Sequence, residues 1–170
     1  MMGDSTRARQ LIAQGHYREA KDIIEQLIRQ KEDDELYYLR GIISLKMKNH
    51  DSAQEYFERA IAMENRAIYH RTSGMAYFEI FDIENAVSSF KDALALDPQD
   101  HTANFFLALS YMLVDDPTST DYLKRAYAIN PRKTQQLLYR FYELFIKKDP
   151  AISDAQKKKI MESIEKNFVT

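Results

Sequence analysis

Residues 74–98 read GMAYFEIFDIENAVSSFKDALALDP, and this stretch decides the fold. Apolar residues recur three and four apart on either side of a short polar break, the spacing of a helix face. The break separates a helix predicted over 67–80 from a second over 84–96. Asp97-Pro98 closes the second helix, because proline lacks the amide that a further turn would need. Small residues at Gly74, Ala86 and Ala93 alternate with large ones at Tyr77 and Phe90. Thirty-three residues upstream of Gly74, Ala86, Phe90 and Ala93 stand Gly41, Ala53, Phe57 and Ala60, and a further 33 before the last three stand Ala20, Ile24 and Leu27. Downstream, Leu123, Ala126 and Pro131 lie 33 after Phe90, Ala93 and Pro98, whereas Ala108 and Tyr111 lie 34 after Gly74 and Tyr77. One residue is therefore gained in the linker after Pro98 and lost in the turn at Pro117. A fixed period near 34 residues marks a helix–turn–helix array.

The chain of 170 residues divides on this period into helix pairs at about 1–33, 34–66, 67–100 and 101–133, with 134–170 as a degenerate fifth pair that caps the array. The second pair is predicted at 35–47 and 51–63, with Asp51 capping its second helix. The fourth is predicted at 101–113 and 119–129. A helix over 134–148 follows, ended by Asp149-Pro150. Ser153 and Gln156 then form a capping box for a final helix to about 167 with an Ile160/Met161/Ile164/Phe168 stripe. Four Gly and four Pro fit long helices with short turns and oppose a β-rich fold. The packing logic is steric. Antiparallel helices approach closely only where side chains are small, so Gly41, Gly74 and Ala108 form one wall of each crossing and Ala53 and Ala86 the other. Phe57 and Phe90, one turn further on, fill the wedge that opens from it.

The units Gly41…Ser44…Ala53…Phe57…Ala60, Gly74…Tyr77…Ala86…Phe90…Ala93…Pro98 and Ala108…Tyr111…Leu123…Ala126…Pro131 resemble tetratricopeptide repeats, as does the first unit through Ala8, Leu11, Tyr17, Ala20, Ile24 and Leu27. The resemblance covers about residues 5–131. It departs from the family pattern where His70 and Asn104 replace the early aromatic seen at Tyr37, and at Ser119 in place of a small residue of the second helix. It implies an all-α, right-handed superhelical solenoid whose first helices (the A helices of each pair) line a concave face that binds other proteins. On those helices, residues three and four apart that face away from the small-residue crossing are Tyr38, Ile42 and Leu45, then Arg71, Met75 and Phe78, then Phe105, Leu109 and Met112. All but Arg71 are apolar or aromatic, which exceeds what helix pairing needs. Such a groove suits a helical or hydrophobic protein segment. One subtype of the family clamps an acidic C-terminus with Asn, Lys and Arg; Ile42 and Met75 stand here instead, which opposes that mode. Two other occupants stay open: helix 134–148 filling the groove from within, or a second copy in a homo-oligomer, an arrangement that also fits a small chaperone.

Composition sets aside other classes. Net charge is −2, which gives no general attraction to nucleic acid. Residues 131–170 carry nine Lys/Arg and five Asp/Glu, leaving the rest of the chain at −6. Salt-dependent contact of Lys147, Lys148, Lys157, Lys158 and Lys159 with nucleic acid or an anionic membrane is therefore a third reading. His16, His50, His70 and His101 lack ligand spacing to one another, so no metal site is expected. No phosphate loop, nucleophile elbow or cofactor motif is present, and a non-enzymatic protein is expected. There are no cysteines, so no disulfide or thiolate chemistry exists. No apolar run approaches the roughly 20 residues of a membrane span. No apolar segment follows the N-terminal Met-Met-Gly-Asp-Ser-Thr-Arg, and cytoplasmic residence is the expectation.

Overall fold

A computed structural model describes residues 2–166 as an all-α right-handed solenoid, without strands among the described residues. The helices are α1 (Met2–Ala13), α2 (Tyr17–Gln30), α3 (Asp34–Lys46), α4 (His50–Met63), α5 (Ala67–Glu79), α6 (Ile83–Leu96), α7 (His101–Leu113), α8 (Ser119–Ile129), α9 (Pro131–Phe141) and α10 (Asp154–Lys166). Odd and even helices pair as hairpins from α1/α2 to α7/α8, and each hairpin packs on the next through α2–α3, α4–α5, α6–α7 and α8–α9.

The periodic residues are the core. Ala20, Ala53, Ala86, Ala93 and Ala126, with Ile24, Phe57 and Phe90, are wholly buried. The two mid-helix glycines are explained by what faces them. A methyl group on Gly41 would stand 2.5 Å from a ring carbon of Phe57, and one on Gly74 would stand 2.8 Å from the equivalent carbon of Phe90. The wedge aromatics thus occupy the space that a larger residue would claim, and the α3/α4 and α5/α6 axes cross at a distance set by those rings.

Short polar side chains start the helices. Asp33, Asn49, Asp82, Asp100 and Asn130 each accept from a backbone amide in the first turn of α3, α4, α6, α7 and α9. Two expectations are corrected here. Asn49, not Asp51, caps α4, its Oδ1 accepting from the Ser52 amide at 3.2 Å, and Asp51 lies inside the first turn. The helix expected over 134–148 begins three residues earlier, because Pro131 at the first helical position has its φ already set and Asn130 caps it. It also changes character at Tyr142–Ile146, a π-helical turn in which the Lys147 amide donates to the Tyr142 carbonyl at 2.9 Å. The capping box is present: the Gln156 amide donates to Ser153 Oγ at 3.3 Å and the Ser153 amide to Gln156 Oε1 at 2.9 Å. Ile160, Met161 and Ile164 of the last stripe pack inward. Residues 167 and 168, expected to extend that helix and its stripe, lie outside the described residues.

Candidate protein-binding face

Polar links hold α3, α5, α7 and α9 in register. Tyr38 Oη donates to Thr72 Oγ1 at 3.1 Å, since the Thr72 hydroxyl is itself donated to the Ile68 carbonyl at 2.8 Å. Tyr69 Oη donates to Asp34 Oδ2 at 2.5 Å while accepting from Arg66 Nη1 at 2.9 Å. Burial of that phenol, together with the Asp34 carboxylate, pushes its pKa well up, so it stays a neutral donor. Arg71 Nη1 donates to Asp100 Oδ2 at 2.8 Å, and Asp100 also caps α7. His101 and Thr134 tie α7 to α9 at 2.8 Å. The spacing of these ties, 29 to 35 residues, follows the repeat.

The nine residues singled out in sequence fall into three groups on this frame. Tyr38, Ile42 and Leu45 are half-buried and rest on the Ala53/Phe57/Ala76 cluster, with the Tyr38 ring 4.7 Å from that of Tyr69. Met75 and Phe78 are also half-buried, on the Ala86/Phe90 cluster, and Phe78 meets Phe106 of the next A helix edge-on at 5.3 Å. Arg71, the one charge of the set, is neutralised by Asp100. Met112 is exposed. Phe105 and Leu109 differ: they are 1% and 2% exposed, in one cluster with Ala126, Leu138, Tyr142 and Ile164. The C-terminal helices therefore cover the α7 end of the row, and the solvent-facing part runs along α3 and α5 to Met112.

Spacing alone missed three features of this region. Asn104, in the place of a packing aromatic, is wholly buried and donates from Nδ2 to the Pro98 and Asp100 carbonyls at 3.1 and 3.0 Å, clamping the start of α7. His70, expected to replace that aromatic, is half-buried and bonds Asn65 at 2.7 Å, while its neighbour Tyr69 supplies the buried ring. His101 is buried at the α7–α9 junction. Thr134 Oγ1 donates to the Asn130 carbonyl at 2.8 Å, so the imidazole donates from Nε2 and leaves a buried Nδ1 without a partner. Burial, then the nearby Lys133 charge, lower its pKa against an opposing pull from Asp100.

Among the described residues, no group of three or more His, Asp or Glu is placed to hold a metal ion, and no helix is long and apolar enough to cross a membrane.

A tetratricopeptide-repeat family model matches residues 34–66 and 72–100. The TPR repeat-containing protein MJ1428 of Methanocaldococcus jannaschii is 29% identical over 75 residues, which span 44% of this chain and 13% of that relative's length. Among solved structures, MamA superposes with a TM-score of 0.71 at 14% identity over 94% of this chain and 93% of its own. A fragment of MamA from Desulfovibrio magneticus RS-1 gives 0.70 at 19% identity, over 98% and 96%. YrrB, described as a TPR protein with an unusual peptide-binding site, gives 0.67 at 23% identity, over 78% and 70%. These structural likenesses concern the fold.

Proposed function

Because the chain is a tetratricopeptide-repeat protein, we propose that it is a non-enzymatic scaffold holding an apolar, helix-forming protein segment against the inner faces of α3 and α5 and the end of α7. One observation carries the reading: Ile42, Leu45, Met75 and Phe78 repeat on successive A helices, keep part of their surface in water and have no charged neighbour on the row except the paired Arg71. Half-exposed methionine and aromatic side chains adapt to an apolar ligand at small cost. The peptide-binding description of YrrB is in keeping with a segment as ligand. Burial of Phe105 and Leu109 beneath the C-terminal helices favours a short site, spanning two to three repeats, over one running the length of the solenoid.

Selection of a displayed library of helical peptides against the full chain tests this. Enriched sequences are expected to be amphipathic, and Ile42→Asp or Met75→Asp is expected to abolish their binding while far-ultraviolet circular dichroism is unchanged. Affinity should vary little between 50 and 500 mM salt, since burial of apolar surface drives it. Binding that survives both substitutions, or that falls steeply with salt, moves the site to the basic C-terminal helices.

A further inference from the structure

The helices α1, α3, α5 and α7 end in the same way. The residue after the C-cap lies in the left-handed region: Gly15 at φ 82°, Lys48 at 61°, Phe81 at 58° and Asp115 at 54°. The following amide closes a six-residue loop in every case: His16 to the Leu11 carbonyl at 2.8 Å, Asn49 to Ser44 at 2.9 Å, Asp82 to Tyr77 at 3.0 Å and Asp116 to Tyr111 at 2.9 Å. This is the Schellman arrangement, and glycine or asparagine is the residue it favours. Phenylalanine is a poor choice, because any Cβ crowds the following carbonyl there and its side chain has no short polar group, as Asn or Asp has, to bond locally in return. Phe81 gains little in return within the monomer: it is 63% exposed, the largest apolar side chain so placed among these turns.

The first three of these turns lie together along one edge of the solenoid. Met47 lines the same hollow as Gly15–Glu19, and Lys48 Nζ reaches Glu79 at 3.7 Å. Around Phe81 this edge is oily and acidic. Its neighbour Ile80 is exposed, as are Leu113 and Val114 at the equivalent turn after α7. Residues 79–84 and 112–121 each hold three carboxylates and no Lys or Arg, Glu79 alone of these being ion-paired among the described residues, with Lys48. The complementary surface stands on the same chain. Leu144 and Phe145 are 67% and 49% exposed on the π-helical turn, next to Lys147 and Lys148, with Lys158 and Lys159 exposed on α10. Glu143 pairs Lys147, which leaves Lys148, Lys158 and Lys159 without an ion pair among the described residues. Residues 131–170 carry nine basic against five acidic side chains.

We infer that the Phe81 edge of one molecule receives the basic, apolar C-terminal turn of a second copy. The two surfaces are opposite in charge and alike in apolar content, and contact would cover the one aromatic side chain that, among the described residues, the monomer holds in a disfavoured backbone conformation. The site is separate from the inner face proposed above, so Met75→Asp should leave self-association intact.

Sedimentation equilibrium of the full chain at 50 mM salt tests it. Mass is expected to rise above the monomer with concentration, and to fall back as salt is raised. Phe81→Asn is expected to weaken self-association at least tenfold while raising the melting temperature by roughly 2–4 °C, because the turn is relieved. The triple variant Lys148→Glu, Lys158→Glu, Lys159→Glu should be monomeric alone. Mixed, the two variants should associate again, since each retains the surface that the other lacks. A chain monomeric at every concentration, a Phe81→Asn protein that associates as before, or a mixture that stays monomeric would overturn the inference.

Discussion

Gly41→Ala sets two effects of opposite sign against each other. Alanine within a helix is favoured over glycine by about 0.5–1 kcal/mol, through the unfolded chain's lost freedom. Against this, the new methyl carbon would stand 2.5 and 2.6 Å from two ring carbons of Phe57, where ordinary contact lies at 3.4–4 Å. The ring cannot swing away. It is wholly buried, clustered with Ala53 and Ala76, and its centroid lies 6.0 Å from that of Tyr38. Overfilling such a core costs typically about 1–3 kcal/mol, so the net loss is expected between about 0 and 2.5 kcal/mol, centred near 1. For a chain of this length that centre is roughly 2–4 °C in melting temperature. Gly74→Ala, with its nearest carbon at 2.8 Å, should lose less. The assay is thermal and urea unfolding by circular dichroism, with Phe57→Leu added to relieve the clash. The double-mutant cycle should show coupling of about 1 kcal/mol or more. A Gly41→Ala protein more stable than the parent, with no coupling to Phe57, would refute the reasoning.

Asp33→Ala and Asn49→Ala should each cost about 1 kcal/mol in urea unfolding, by releasing first-turn amides, whereas Asp51→Ala should cost little. Arg71→Ala should destabilise by about 1–3 kcal/mol because it strands the Asp100 carboxylate, which is 7% exposed, and Arg71→Lys should recover only part of this loss. His101, with its pKa lowered from 6.5 on folding, takes up its proton more readily in the unfolded chain; its contribution to stability is full above pH 6.5 and is lost as pH falls through its lowered folded value. Urea midpoints between pH 7 and pH 5 should therefore fall in the parent, and fall less in His101→Asn.

Much of the scaffold was legible in the sequence because each repeat states its own packing rule. Spacing set Gly41 and Gly74 against Ala53 and Ala86, with Phe57 and Phe90 one turn further on; in the structure it is the rings of Phe57 and Phe90 that stand directly against the two glycines. Cap choice at α4 was not legible, since Asn49 and Asp51 are comparable as N-caps and only the start of the helix selects between them. The left-handed residue of each turn carried a signal that was visible in hindsight: Gly15, repeated at Lys48 and Phe81, marks the position even where glycine is gone. On the inner face, periodicity shows which residues share a side of a helix but not what covers that side. Tyr38, Ile42 and Met75 could be placed on one row, while the burial of Phe105 and Leu109 depends on Leu138, Tyr142 and Ile164, in a segment that breaks the repeat. Helix 134–148 was placed three residues late for the same reason: with no later repeat to copy, nothing marked Asn130 and Pro131 as the cap and first turn of α9.

Site-specific photocrosslinking tests most directly whether the inner row is the binding surface. A photoreactive phenylalanine would be placed at position 42, 75 or 112 on the A helices, or at exposed positions 55 or 91 on the B helices, and irradiated with a display-selected peptide. Adducts are expected at 42, 75 and 112 and not at 55 or 91. Adducts confined to 55 and 91, with none along the row, would contradict the assignment.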